Sequence, residues 1–314
     1  MIAHDRYDRG AMPLPAEPAS PLRVASLLGH AQVELAILGL GSLLRGSAEP
    51  LALRLHDDGS LTAGDRDRLA AALDDPQVVL RSEADERAAG VLARRPALAA
   101  FRRRNPLALK LVDAVLYAGE TLAYCDTDVL FVRPFSGLFP AGGSPALFMA
   151  DRQNAYSVRS WHLLQDRLTE RRMRLPGRVN SGILRFPASA WDPDLLEWYL
   201  ARPEFGFAPV WMEQTAWALL AGAAGCRLLD PAQIAIPEPG EVPGVPGEGA
   251  PGDRIALHFV SPVRSILPLW AAQAVVRGDP RPPVAVRHVP AGRCGFLALA
   301  ATEARRVLGR LTDR

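Results

Sequence analysis

Beyond residue 21, short apolar runs alternate with stretches in which apolar residues recur every three or four positions. Residues 23–28 are a run of the first kind and predict a strand. Val33, Ile37, Leu40 and Leu44 follow at helical spacing, so residues 32–45 are expected to form a buried helix. A second strand is expected at 51–55, closed by the turn-forming run His56-Asp57-Asp58-Gly59-Ser60. Residues 63–73 read as a helix and 77–80 as another strand. Repeated strand–helix alternation implies parallel βαβ units and an α/β sheet.

The middle of the chain continues the pattern. Asn105-Pro106 looks like a helix start, with Asn as N-cap and Pro in the first turn. Leu107, Leu111 and Ala114/Val115 form the expected apolar stripe, with Lys110 and Asp113 off it. Residues 121–125 and 129–132 are β-rich and are broken by Asp126-Thr127-Asp128. Further strands are expected at 146–150, 183–186 and 255–259. Helices are expected from Asp192-Pro193, over 211–223 and over 296–311. The segment 237–252, PEPGEVPGVPGEGAPG, carries no core-forming pattern and reads as a flexible loop. The expected organisation is a loose tail over 1–21, a single domain over 22–270, and an extension over 271–314 that ends in a basic helix.

Composition narrows the partners. With 36 Lys+Arg against 34 Asp+Glu in 314 residues, the net charge is +2, and no basic field points to nucleic acid. Three scattered cysteines, Cys125, Cys226 and Cys294, suggest a reducing compartment and no zinc knuckle. No apolar leader is evident at the N-terminus, and the longest apolar stretch, 35–44, is too short to span a bilayer. A cytoplasmic protein is expected, with at most peripheral membrane contact through the basic C-terminal helix. Only one of the 36 cations is lysine, Lys110; GC-rich coding accounts for the arginine bias. Lys110 is followed by Leu111, which excludes a P-loop.

The strongest chemical signal is TLAYCDTDVLFV, where two acids sit between apolar strand segments. A buried carboxylate pair repels unless a cation resolves it, and Mg²⁺ or Mn²⁺ prefers such hard oxygen ligands. An Asp-x-Asp at the carboxyl end of a strand also lies where open α/β sheets bind ligands. A surface turn with two solvated acids is the plain alternative. Two chemistries use the pair. One is a phosphatase-type aspartyl nucleophile at Asp126, resembling the haloacid dehalogenase fold; here the motif comes late in the chain and no lysine follows it. The other is glycosyl transfer from a nucleotide sugar, where a metal bridges the diphosphate.

Five features in order make the chain resemble GT-A-fold glycosyltransferases, closest to the glycogenin-like group called family 8 and its uncharacterised bacterial relatives. They are the strand and helix of VASLLGHAQVELAILGLGSLL; Lys110, sixteen residues before Asp126; Asp126-Thr127-Asp128; Val179-Asn180-Ser181-Gly182-Ile183; and Leu257-His258-Phe259 with Arg264 six residues on. The resemblance covers roughly 22–270 and implies an α/β fold of GT-A type, a single domain with a Rossmann-like mixed, mainly parallel sheet flanked by helices. It implies a retaining hexosyltransferase that uses a nucleotide-diphosphate sugar, in this family a UDP-sugar, with Mn²⁺ or Mg²⁺. Asp126, Asp128 and His258 would be the metal ligands. Gly29 and His30 would meet the nucleoside, with Thr127 between the ligands. Lys110 and Arg264 would face the diphosphate. Asn180, Ser181 and Gly182 would form the donor-sugar loop, and Glu213-Gln214 would face the sugar. The acceptor is left open among glycans, lipid-linked sugars, proteins and metabolites.

The chain departs from the family pattern in places: Arg264 replaces a lysine, Glu213 an aspartate, and the apolar Leu28-Gly29 a polar pair before the nucleoside. His-Asp-Asp-Gly-Ser at 56–60 is foreign to the glycogenin pattern. Plainer roles stand beside the functional ones. Lys110 could pair with Asp113 on a solvated face, His258 be a hydrogen-bonded core residue, and Asn180-Ser181 shape a turn. Glu213 could cap its helix. Asp151 is a candidate for a donor hydroxyl or a turn, and Arg104 for a phosphate or a solvated run. Trp211, Trp217 and Trp270 read as core or rim. A non-catalytic sugar-nucleotide-binding module is the remaining alternative.

Overall fold

Alternating burial along the first strand sets the architecture. In the computed structural model, β1 (Leu22–Leu28) sends Val24 and Leu28 into one hydrophobic cluster and Ala25 into another. A strand buried on both faces needs helices on both, and the chain supplies them. The structure describes residues 21–142, 145–165, 173–206, 208–237, 254–261, 263–275 and 282–312. The expected tail, save residue 21, and the expected 237–252 loop, save residue 237, lie outside the described residues.

The first half is built from α1 (Val33–Gly46), β2 (Leu51–Asp57), α2 (Ala63–Ala72), β3 (Gln77–Val79), α3 (Arg81–Leu92), α4 (Pro96–Arg104) and α5 (Ala108–Leu116). Then come β4 (Thr121–Cys125), β5 (Val129–Phe131), β6 (Phe135–Ser136), β7 (Ala146–Ala150), α6 (His162–Gln165) and β8 (Val179–Pro187). The second half adds α7 (Pro193–Leu200), α8 (Met212–Ala224), β9 (Cys226–Leu229), β10 (Ile234–Ala235) and β11 (Ala256–His258). It closes with α9 (Leu267–Val275), β12 (Val284–Ala285), β13 (His288–Pro290) and α10 (Phe296–Thr312).

Eight strands form the main sheet in the order β13-β9-β7-β8-β4-β1-β2-β3. β1 to β4 run parallel, β8 is antiparallel between β4 and β7, and β13 pairs antiparallel with β9 at the edge. The mixed, mainly parallel sheet flanked by helices matches the expectation. One core lies under α3, α4, α5, α7 and α8, and the other under α1 and α2. A small sheet, β10-β11-β5, pairs β11 antiparallel with β5 beside the main sheet. Among the described residues, no helix is long and apolar enough to cross a membrane.

Local chemistry explains several boundaries. Thr62 caps α2, accepting from Asp65 N while Asp65 reaches back to Thr62 N. Asp192 caps α7 ahead of Pro193, as expected. One boundary differs, and the plain alternative for Lys110 fails. Asn105 ends α4, its N–H bonding Phe101 O, and its side chain also caps the turn that leads into α5, Oδ1 accepting from Leu107 N at 3.0 Å; the regular helix begins at Ala108, two residues later than Pro106. The helix α5 has no solvated face for a Lys110–Asp113 pair, because the sheet, α3, α4 and α8 surround it. Lys110 and Asp113 are each 2% exposed. Asp113 therefore pairs with Arg102, at 2.7 and 3.0 Å, and not with Lys110. The helix α3 carried no clear apolar stripe because it buries only two alanines, Ala84 and Ala88.

The strand β2 runs two residues past its expected end, so His56 and Asp57 belong to it and not to the turn. His56 is buried edge-on to Tyr117, with no hydrogen bond to either ring nitrogen among the described residues. Burial, helped by nearby Arg54, pushes its imidazole down to about 3. The unfolded chain, with an ordinary histidine near 6.5, binds the proton that the fold refuses. Stability from this group is thus complete above about pH 6.5 and is lost as pH falls toward 3. His56→Leu should remove up to about 1.4 kcal/mol per pH unit from the acid slope of unfolding free energy. Urea titrations across that range check this; an unchanged slope refutes it.

Candidate active site

A cavity of about 260 Å³ opens at the carboxyl ends of β1, β2 and β4. This is the end of an open parallel sheet where ligands bind. The turn after β4 forms its floor. Helix α1 lies directly on that turn: a Cβ on Gly39 would meet Thr127 O at 2.3 Å. Tyr124 and Asp126 are two residues apart and face the same way. Tyr124 Oη accordingly donates to Asp126 Oδ1 at 2.8 Å.

His258 reaches the site by strand pairing. β11 runs antiparallel to β5 with His258 opposite Val129, and Phe259 N donates to Asp128 O at 2.8 Å. His258 Nε2 lies 3.1 Å from Asp128 Oδ1 and 3.7 Å from Asp126 Oδ2. One ligand atom from each of Asp126, Asp128 and His258 falls within 4.8 Å of the others. One small divalent ion can reach all three after slight side-chain shifts. Two carboxylates and an imidazole are a donor set that Mn²⁺ accepts, and Mg²⁺ less readily because it favours oxygen. The residues present therefore fit a divalent metal.

Cations already balance both acids. Lys110 Nζ sits 3.1 and 3.2 Å from the two oxygens of Asp126 and 3.7 Å from Glu213 Oε1. Burial alone would lower its pKa, but Asp126 and Glu213 outweigh it and hold the ammonium's pKa raised. Arg264 bonds Asp128 Oδ2 through Nε at 2.8 Å and Nη2 at 2.7 Å. Burial acts to raise the Asp128 carboxyl, yet His258 and Arg264 prevail and hold it at about 2. Glu213 shows the reverse outcome: burial raises it despite Lys110. Its Oε2 accepts from Ser181 Oγ at 3.1 Å, while Oε1 has no hydrogen bond among the described residues.

Asn180, Ser181 and Gly182 lie inside strand β8, not in a loop as the family resemblance implied. The pairing of β7 with β8 slips between Phe148 and Met149, which turns this stretch toward the cavity. Asn180 Nδ2 donates to Asp151 Oδ2 at 3.1 Å and to Gln214 Oε1 at 3.2 Å. Gln214 Nε2 in turn donates to Asp151 Oδ2 at 3.2 Å and Ala155 O at 3.0 Å. Asp151 thus braces the cavity wall from behind.

Twelve of the residues singled out in the sequence line one cavity: Gly29, Lys110, Asp126, Thr127, Asp128, Asn180, Ser181, Gly182, Glu213, Gln214, His258 and Arg264. His30 does not; its ring is 66% exposed and turns to Asp65 at 2.7 Å. Arg104 is exposed at the end of α4 and is not among the lining residues. Sequence reasoning missed Tyr124, which its two-residue offset from Asp126 could have revealed. It also missed Asp58, Gln32 and the exposed rim residues Leu107 and Val210, for which no local signal existed.

No protein-family model and no curated protein matches the chain in sequence. Solved structures do match its shape. Mouse xyloside xylosyltransferase 1 in its apo form is 12% identical, with a TM-score of 0.53 over 78% of this chain and 99% of that one. The galactosyltransferase LgtC, in complex with donor and acceptor sugar analogs, is 10% identical over 83% of this chain and 98% of that chain, with a TM-score of 0.45. The apo-form glycosyltransferase GlyE of Streptococcus pneumoniae TIGR4 is 11% identical over 80% of this chain and 60% of that one, with a TM-score of 0.47. The xylosyltransferase likeness establishes the fold, which is that of GT-A glycosyltransferases.

The histidine ring depends on the glycine opposite it. A Cβ on Gly182 would stand 2.3 Å from His258 Cε1 and 2.5 Å from Nδ1. Gly182→Ala must therefore push the ring away from Asp128, at an overpacking cost of about 1–3 kcal/mol. Mn²⁺ affinity, read by electron paramagnetic resonance, should fall about tenfold or more while the circular dichroism spectrum stays native. Unchanged affinity would show that His258 is no ligand.

Proposed function

We propose that the protein is a metal-dependent hexosyltransferase that moves a hexose from a nucleotide-diphosphate sugar, read as a UDP-sugar, to an acceptor with retention of anomeric configuration. One observation carries the reading. Asp126, Asp128 and His258 converge within a cavity that also presents two cations, Lys110 and Arg264, and a buried acid, Glu213. The GT-A fold agrees with it. Retention, the uridine nucleotide and the family-8 assignment enter from the family resemblance. The acceptor belongs to the glycans, lipid-linked sugars, proteins or small metabolites.

In this reading Asp126, Asp128 and His258 hold Mn²⁺ or Mg²⁺. When bound, such an ion supplies charge neutralisation at the diphosphate leaving group. Lys110 is fixed between Asp126 and Glu213 and adds a positive charge that needs no rearrangement during reaction. The half-exposed Arg264 can exchange Asp128 for a diphosphate oxygen, since guanidinium bonds either one through paired N–H groups. Glu213 keeps one oxygen on Ser181 and the other 3.7 Å from Lys110 Nζ, and in this reading it is the acid of the cavity wall that faces the anomeric carbon. Gln214 lies beside it, but Asp151, Ala155 and Asn180 already engage its amide. Asn180 and Ser181 seat the sugar.

A thermal-shift panel of nucleotide sugars tests the proposal. Stabilisation should require both a UDP-sugar and Mn²⁺, because ligands that bind the native state raise its melting temperature by mass action. Asp128→Asn should abolish donor hydrolysis and transfer while leaving the fold intact; an active, metal-independent variant would sink the mechanism. Lys110→Arg places a larger, planar cation where the ammonium is fully enclosed and packed over the Tyr124 ring at 4.7 Å. It should lower kcat/KM about tenfold or more. Wild-type kinetics in that variant would remove Lys110 from the machinery.

A further inference from the structure

Two further cavities, of about 300 and 530 Å³, adjoin each other beside the outer strands β7, β9 and β13. They share Gly292 and Arg293; the smaller adds Arg178 and the larger Arg174. No acid lines either one, although the chain sets 34 acids against 36 cations. The three arginines are exposed, and none forms an ion pair among the described residues. Backbone pairing brings them together. Pro176 pairs antiparallel with Arg293, and Cys294 N donates to Leu175 O at 2.8 Å. Arg174 and Arg178 stand two residues either side of Pro176, so the three cations follow one ribbon.

Arg178 is held there against the preference of its backbone. Its φ is 63°, in the left-handed region that costs a residue with a Cβ and costs glycine nothing. Its N–H donates to Asn154 Oδ1 at 3.0 Å, and its carbonyl accepts from Asp151 N at 2.6 Å. Nε donates to Asp151 O at 2.6 Å, which fixes the guanidinium and leaves both Nη groups without a hydrogen bond among the described residues. Asn154 spends its oxygen on Arg178 N, so its NH₂ is the open end. The smaller cavity therefore offers fixed donors and positive charge, with no carboxylate to satisfy them.

We propose that this groove seats an acidic group of the acceptor, which is thus a sugar bearing a carboxylate or a phosphate. The proposal rests on the reading of the neighbouring cavity as the transfer site. Asp151 joins the two: its backbone holds Arg178, while its Oδ2 accepts from Asn180 and Gln214 in the wall of that cavity. Arg178 precedes Asn180 by two residues, about 7 Å of extended chain. An oligosaccharide with its reacting hydroxyl in one cavity reaches the other. Guanidinium groups bind carboxylate or phosphate oxygens in pairs. The cations line recesses and not a flat face, which favours the acidic group of a sugar over a membrane surface.

Calorimetric titration of the full chain, its donor cavity filled with UDP and Mn²⁺, compares trigalacturonate, maltotriose phosphate and neutral maltotriose. The stronger of the two acidic probes identifies the group, and it should bind about tenfold or more tightly than maltotriose. Added NaCl should shrink that margin. Arg178→Asn supplies a residue that tolerates the left-handed backbone. Together with Arg293→Gln it should remove the margin while donor hydrolysis keeps its wild-type rate. Wild-type binding of all three probes equally, or of none, overturns the assignment, as does a margin that survives both substitutions. Binding of phosphatidylglycerol vesicles with none of the trisaccharides would give the groove to a membrane and also overturn it. Failure of UDP with Mn²⁺ to bind wild type would defeat the transfer-site reading itself, and this proposal with it. The wild-type ranking stands whether or not the variant folds.

Discussion

An ammonium taken fully out of water costs several kcal/mol unless it is paired. The Lys110 group is such a case, and the site is arranged around it. Its partners come from elements far apart in sequence: Asp126 after β4 and Glu213 in the first turn of α8. Moving either element outward would strand a charge, so α5, β4 and α8 are held to one geometry. Tyr124 ties Asp126 from the strand side, and Ser181 ties Glu213 from β8. The chain's one lysine is thus the common neighbour of two acids that would otherwise repel.

Close approach at residues without side chains supplies the second constraint. Gly39 lets α1 touch the carbonyl of Thr127, which fixes the turn carrying both aspartates. Gly182 leaves room for the His258 ring against β8. Packing density, and not only hydrogen bonding, therefore sets where the candidate metal ligands stand. The small antiparallel sheet completes the arrangement by pairing β11 with β5, so the third ligand arrives by backbone register.

The order of strands and helices could be read from periodicity, because most elements bury one distinct face. The weak points have physical causes. α5 was assigned a polar face since Lys110 and Asp113 share one, but each is neutralised inside the protein by a partner from elsewhere. Asn105 has the chemistry of a helix start and makes that capping bond to Leu107 N, but it also ends α4, so two helices meet where one was read. The family resemblance made Asn180-Ser181-Gly182 a loop, but with a register slip beside it the segment stays in strand β8 while lining the cavity. Asp126 and Asp128 were legible as a pair because charges interrupt an apolar run. His258 was tied to them only through family resemblance, since nothing local announces a contact across 130 residues. Asp58 was hidden for the opposite reason: Asp-Asp-Gly-Ser reads fully as turn chemistry, and its placement over Gly29 follows from the β1–β2 register.

Charge accounting links the resting site to its proposed ligands. Asp126 and Asp128 are each matched by a cation, Lys110 and Arg264, before any ligand enters. These two pairs differ in burial: Lys110 is enclosed, while the Arg264 side chain is half exposed. Water screens the outer pair, so it is the cheaper one to open. A divalent cation arriving alone would have to displace Arg264 from Asp128 and leave both positive charges close together. A diphosphate arriving with it gives the guanidinium a new bidentate partner and offsets the added charge. On the proposed function, one fixed and one exchangeable cation would favour entry of metal and diphosphate as a neutralising pair over entry of either alone.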